Sequence, residues 1–203
     1  MSRTTLTVLV VLAVAFLALT GLAVQRGILG PAQQTAAIGG PFRLTDQAGR
    51  ATDQGVLKGK WSAVFFGFTY CPEACPTTLL ALGQAEKLLG PQAKAFQTVF
   101  ISVDPGRDTP KVMANYLGNS AFPKTVVGLT GTEAEVAKAA KAYHVFYQKA
   151  GTGPDYQVNH STITYLMSPR GKLVCFIPYG APPDVMAKKI SAAMAAGPGA
   201  TAC

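Results

Sequence analysis

The residues of this sequence best suited to nucleophilic, redox or soft-metal chemistry are four cysteines and two histidines, and their surroundings differ sharply. Cys71 and Cys75 lie in Phe68-Thr69-Tyr70-Cys71-Pro72-Glu73-Ala74-Cys75-Pro76, between an apolar run and a helical pattern. At such a strand-to-helix junction the free backbone N–H groups and the helix dipole favour thiolates, so both sulfurs are expected to ionise readily. Pro76 reads as the first helical residue, which makes Cys75 the N-cap and leaves Cys71 in the preceding loop. A loop that folds back brings the two sulfurs close enough to share a metal ion or to close a disulfide. The spacing, the two prolines and the junction argue against two cysteines packed in a turn by chance.

His160, in Val158-Asn159-His160-Ser161-Thr162, reads as a loop residue directly ahead of a strand, able to face the front of a sheet. Its plainer alternative is a hydrogen-bonded loop histidine. His144 follows Tyr143 at the end of a helical pattern, where an imidazole suits the negative end of the dipole, and it is given no ligand role. Cys175, in Leu173-Val174-Cys175-Phe176, reads as a buried inert thiol. Cys203 ends a small-residue stretch expected to be a flexible tail over 197–203, and is given no role.

The elements that must position these residues follow from pattern. Ser62 to Phe68 is a continuous apolar run of strand length, as expected of a strand buried on both faces. A helix from Pro76 to Leu89 follows, stopped by Gly90-Pro91, and Phe96 to Val103 is the next strand. Asp108-Thr109-Pro110 opens a second helix through Leu117; Thr125 to Leu129 is a short strand. Thr132 and Glu135 have capping-box spacing and open a third helix through Tyr143. Val145 to Lys149 adds a short strand, Ser161 to Met167 and Lys172 to Pro178 read as a hairpin, and Pro183 to Ala195 as a last helix. A small hairpin around Asp46-Gln47-Ala48-Gly49 precedes them all. This order indicates an α/β sandwich of thioredoxin-like type with an N-terminal hairpin and an insertion, spanning 42–196.

Leu6 to Val24 carries no charge and is flanked by Arg3 and Arg26; its nineteen residues reach roughly 28 Å as a helix, close to the roughly 30 Å hydrocarbon core. Residues 1–26 are read as a retained anchor, with a signal peptide cut ahead of Val24 as the alternative. Residues 27–41 are small, polar and Pro-containing, and read as a tether. The net charge of +8 comes from 18 basic against 10 acidic residues that never cluster in runs of more than two basic residues, so nucleic acid is not an expected partner.

Three segments together resemble the Sco/SenC family of copper chaperones. They are Gly67-Phe68-Thr69-Tyr70-Cys71-Pro72-Glu73-Ala74-Cys75-Pro76, Ser102-Val103-Asp104-Pro105-Gly106-Arg107-Asp108-Thr109-Pro110, and His160-Ser161 followed by Tyr165-Leu166-Met167-Ser168-Pro169. The resemblance implies that Cys71, Cys75 and His160 hold copper. It also implies an upstream copper donor, and delivery to the binuclear copper (CuA) site in the copper-site subunit of a haem-copper oxidase. It places the protein in the cytoplasmic (inner) membrane as a single-pass protein, its soluble domain on the periplasmic side. Two thiolates and an imidazole suit three-coordinate Cu(I) and accept Cu(II) with one further ligand, whereas structural zinc wants a fourth strong ligand. Family members commonly carry Asp where this sequence has Asn159, so a charge near the metal is missing here. Asp104, Arg107 and Asp108 read in two ways. Asp108 or Thr109 caps the following helix while Arg107 neutralises Asp104; or the loop lies beside the metal and orients ligands or meets the partner.

The competing function is a membrane-anchored thiol-disulfide oxidoreductase that cycles Cys71 and Cys75 through a disulfide and acts on the cysteines of the oxidase copper site. Redox enzymes of this fold usually carry a two-residue spacer between the cysteines and a cis-proline facing them. Here the spacer has three residues and the facing loop presents Asn159-His160-Ser161. No enzymatic activity is therefore assigned, and reductase activity stays open.

Overall fold

The structure, a computed structural model, describes residues 2–25 and 38–203, with the side chains of 23–25 left out. The tether read over 27–41 therefore lies outside the described residues as far as 37, and so does Arg26. The chain divides into two units, 1–37 and 38–203. In the first, α1 (Arg3–Gln25) is one continuous helix of 23 residues, about 34 Å long at helical rise and sufficient to cross a bilayer. Its large apolar side chains from Leu6 to Leu22 are exposed, which suits hydrocarbon better than water.

The second unit is the thioredoxin-like sandwich that the pattern predicts. The opening hairpin pairs β1 (Arg43–Asp46) with β2 (Ala51–Asp53). The central strands β3 (Trp61–Gly67) and β4 (Phe96–Ser102) are parallel and buried at every residue, the outcome expected of continuous apolar runs. Beside them stand β5 (Val126–Thr130), β8 (Thr164–Met167) and β9 (Leu173–Ile177), and the seven strands run β2-β1-β5-β4-β3-β8-β9. The insertion, β6 (Tyr147–Ala150) and β7 (Gln157–His160), is an antiparallel pair forming a sheet of its own.

Four helices complete the unit: α2 (Ala74–Leu88), α3 (Pro110–Leu117), α4 (Glu133–Ala142) and α5 (Pro183–Ala196). One apolar cluster joins α2 and α5 to Trp61, Phe96, Leu166 and Ile177; a larger one gathers Phe65, Phe66 and Phe100 with Met113 of α3 and Val136 of α4. The caps at α3 and α4 form as their sequences indicate. Thr109 accepts from the Val112 N–H, and Thr132 and Glu135 make a reciprocal capping box.

Two expectations are corrected. The helix after β3 begins at Ala74 with Glu73 as N-cap, so Cys75 lies inside its first turn and Pro76 at its third position, where the missing N–H still costs no helical bond. Second, Cys175 and Cys203 are neither an inert thiol nor the end of a free tail: they form a disulfide with Cα atoms 5.9 Å apart. Cys175 sits on the edge strand β9 and is only partly buried, so its sulfur is reachable. Lys189 Nζ donates to the Cys203 carbonyl, and Ala200 and Cys203 pack against the α5 cluster. Residues 197–203 are thus tied to the domain. Closing a loop of 28 residues restricts the unfolded chain. Cys203→Ser should therefore lower the unfolding free energy by about 3 kcal/mol in a urea titration under non-reducing conditions, and reductant should bring the wild type to the same midpoint. Identical midpoints for wild type and variant without reductant would count against the bridge.

Candidate metal centre

After β3 the chain turns at once, with the Cys71 N–H donating to the Phe68 carbonyl, and enters α2. The Cys75 N–H points back at Cys71 Sγ, 3.4 Å away, so the Cys71 sulfur takes the part of a helix cap that no side-chain oxygen fills. Cys75 itself is fully buried against the end of β3. Gly67 makes room for it: a Cβ there would stand 2.6 Å from Cys75 Sγ and 2.8 Å from the Phe100 ring. The glycine is required by this close approach rather than by its backbone angles.

His160 arrives from the insertion hairpin. It is the last residue of β7, not a loop residue directly ahead of a main-sheet strand; β8 begins only at Thr164. A carbonyl can only accept, so the 2.8 Å contact between Nδ1 and the Ser161 oxygen puts the ring proton on Nδ1. Nε2 then faces the cysteines and lies 3.6 Å from Cys75 Sγ. The imidazole is flanked edge-on by Phe65 and Phe68, which hold its plane. The two sulfurs and the histidine nitrogen all lie within 4.8 Å of one another.

The two sulfurs do not behave alike, which corrects the expectation that both ionise readily. The hydrogen bond from the Cys75 side chain, with help from His160 and from the Cys75 and Glu73 N–H groups, outweighs burial and brings the Cys71 thiol down to about 4. Burial, followed by the adjoining Cys71 thiolate, drives the Cys75 thiol far above the usual range. Cys71 is half-buried and presents a thiolate; Cys75 keeps its proton in the interior.

The loop after β4 lies against this group. Asp108, fully buried, accepts from the Thr69 N–H and hydroxyl and from the Ser102 hydroxyl, so it ties the cysteine loop to β4 instead of capping α3. Asp104 is also fully buried and pairs with Arg107, whose guanidinium stacks on Tyr156 and Tyr70. The capping reading of this loop holds with Thr109 as the cap and Arg107 paired to Asp104, and Asp108 meets the cysteine loop through Thr69. Asn159 is exposed, on the opposite face of β7 from Val158 and His160. His144, exposed in a left-handed conformation just past α4, stands outside the group.

Sequence reasoning missed Gly67, Thr69, Ser102 and Tyr156 as supports of the site. Gly67 and Ser102 stood inside quoted segments without a stated role; Tyr156 lies in an aperiodic stretch that carried no signal. What the arrangement offers chemically is a soft, partly open set of two sulfurs and one imidazole nitrogen, with protons to release when a cation enters.

A family model described as SCO1/SenC matches residues 30–195. The mitochondrial SCO1 homolog 1 of Arabidopsis thaliana is 41% identical over 158 residues; the match covers 77% of this chain and 46% of that protein, so the chain spans about half its length. Copper-bound ScoI of Bradyrhizobium japonicum is 41% identical with a TM-score of 0.70, over 77% of this chain and 99% of that one. BsSco, described as a member of the Sco family of cytochrome c oxidase assembly proteins with a disulfide switch, aligns with a TM-score of 0.58 at 25% identity, over 78% and 94% of the two chains.

The unequal sulfurs give a direct test. At pH 6 an ordinary cysteine, titrating near 8.5, is almost wholly thiol, whereas a thiol held at about 4 is ionised. Iodoacetamide at pH 6 should label Cys71 alone, at a rate nearly constant up to pH 8, with Cys75 labelled only on unfolding; mass-mapped peptides report both. Gly67→Ala drives a methyl into Cys75 Sγ and should cost about 1–3 kcal/mol in chemical denaturation, the usual range for overpacking. An unchanged midpoint would show that the contact relaxes freely.

Proposed function

The chain belongs to the SCO1/SenC family, and from that premise we propose that it is a copper metallochaperone that binds the ion through Cys71, Cys75 and His160 and delivers it to the binuclear copper site of a haem-copper oxidase. The observation that carries the reading is the convergence of two thiol sulfurs and one imidazole nitrogen within 4.8 Å. Copper is cargo here, so the site must release what it binds. Two sulfurs and a nitrogen satisfy Cu(I), while the half-exposed Cys71 leaves an approach for an acceptor's sulfur. Cys71 is ready as a thiolate; Cys75 gives up its proton on ligation, which couples uptake to pH. Asp104, Arg107 and Asp108 hold the two ligand-bearing segments. Asn159 faces away and supplies no charge, so Cu(II) gains less here than it would from a carboxylate. With α1 as anchor, the domain works at the non-cytoplasmic surface of the inner membrane, and an upstream donor loads it.

A second reading draws on the asymmetry of the sulfurs. An accessible thiolate beside a buried thiol is the arrangement of a nucleophile and its resolving partner in thiol-disulfide exchange. The oxidase cysteines must be reduced before copper enters, so the same pair serves a reductase. His160 separates the two: it is a ligand in the first and at most a modulator of thiol reactivity in the second.

The full-length reduced protein in detergent should bind one Cu(I), with two sulfurs and one nitrogen seen by X-ray absorption. His160→Ala should abolish oxidase copper loading in a complemented deletion strain while its cysteines still form a disulfide. Near-normal loading by His160→Ala, with loss in Cys71→Ser and Cys75→Ser, would turn the assignment to redox work.

A further inference from the structure

The hairpin that carries His160 has no strand pairing with the seven-stranded sheet. Whatever sets its separation from the cysteine loop therefore sets the imidazole. Three ties hold it. Val158 is buried and seats the middle of β7. Lys149 pairs with Glu133 at the surface, where such pairs contribute little. The third tie comes from the loop after β4 and reaches both ligand-bearing segments at once.

In that loop the carboxylate of Asp104 accepts from the Tyr156 hydroxyl on one oxygen and from Arg107 Nε on the other. Arg107 Nη1 donates to the Pro154 carbonyl. The guanidinium carbon lies 3.7 Å from the centre of the Tyr156 ring and 4.7 Å from that of Tyr70. Tyr70 directly precedes Cys71, and Tyr156 stands four residues ahead of His160. One planar cation is therefore stacked against a residue of each segment, beside Asp108, which holds Thr69. An ammonium could replace the charge but not the flat double stacking. The buried carboxylate adds a penalty for disengagement: without the Tyr156 hydroxyl, one oxygen is left unpaired in the interior.

Resting on the copper reading above, we propose that Tyr156, acting through Asp104 and Arg107, is a positioning residue that sets the distance of the His160 imidazole from the Cys71 and Cys75 sulfurs. The cysteines keep their geometry from β3, α2 and Asp108 whether or not Tyr156 is engaged. At its own end of the hairpin the histidine is oriented by Phe65, Phe68 and the Ser161 carbonyl, while the Tyr156 clamp fixes how closely the hairpin approaches the cysteine loop. Loss of Tyr156 should thus weaken the nitrogen ligand and leave the sulfur ligands alone.

The test uses the full-length reduced protein in detergent micelles, with Cu(I) affinity read by competition against a chromophoric chelator. Tyr156→Phe keeps the ring and removes only the hydroxyl. It should weaken Cu(I) binding about tenfold, the lower end of the effect of losing a hydrogen-bonded support of a metal ligand, and cause no further loss in a His160→Ala background. Arg107→Lys, which keeps the charge and removes the stacking, should follow the same pattern. In the copper-free protein, amide exchange across Gln157–His160 should quicken in Tyr156→Phe while that of α2 stays unchanged. Unaltered affinity in Tyr156→Phe, or equal losses with and without His160, would overturn the positioning role. If His160→Ala bound Cu(I) as the wild type does, the ligand assignment itself would fall. The exchange result alone would then decide the clamp, and unchanged exchange would refute it.

Discussion

A carboxylate buried beneath the cysteine loop is the interaction on which this domain's chemistry depends. An unpaired carboxylate in an interior is costly, and Asp108 is kept there by donors from two directions: the Thr69 N–H and hydroxyl at the end of β3, and the Ser102 hydroxyl at the end of β4. The two Thr69 donors are satisfied only if the cysteine loop lies against the loop after β4, whose carboxylate Ser102 holds in place. The cysteine loop is consequently held by Thr69 groups that lose their hydrogen bonds if it lifts, in addition to the burial of Cys75.

The same economy governs the sulfurs. Cys75 is placed by exclusion, pressed into the space that Gly67 leaves and kept protonated by burial, whereas Cys71 is placed by attraction at the start of α2 and ionises. A site built of two equivalent thiolates would repel itself when empty. Holding one proton relieves that repulsion, and an arriving cation displaces it. The insertion hairpin brings the His160 imidazole from a separate sheet, so the third member of the group belongs to an element other than β3 or α2.

How much of this was legible follows from the range of each interaction. The buried strands and the capping box at Thr132 are written in consecutive residues and form as read, and Cys71 and Cys75 do stand between a strand and a helix. The helix start was misplaced because proline is equally tolerated at several first-turn positions, and a sulfur rather than an oxygen faces the free N–H groups. The unequal ionisation escaped notice because it depends on burial and on a neighbour four residues away folding onto the same spot. Tyr156 was invisible because its partners, Asp104 and Arg107, are about fifty positions distant and the intervening chain has no period to announce it.

The missed disulfide shows where counting would have served better than local reading. Taken singly, Cys175 on an apolar strand and Cys203 on a small-residue tail each looked inert. Taken together, they are the two cysteines left over once Cys71 and Cys75 are assigned, in a domain read as exported, and that remainder is itself a signal of pairing. The bridge also bears on the metal centre. A free thiol at Cys203 would be a competing soft ligand for a thiophilic metal ion. Locked to Cys175 and packed beside α5, it is withdrawn from that chemistry. Of the two cysteine pairs, one is thus closed and holds the fold, and the other is left open beside His160.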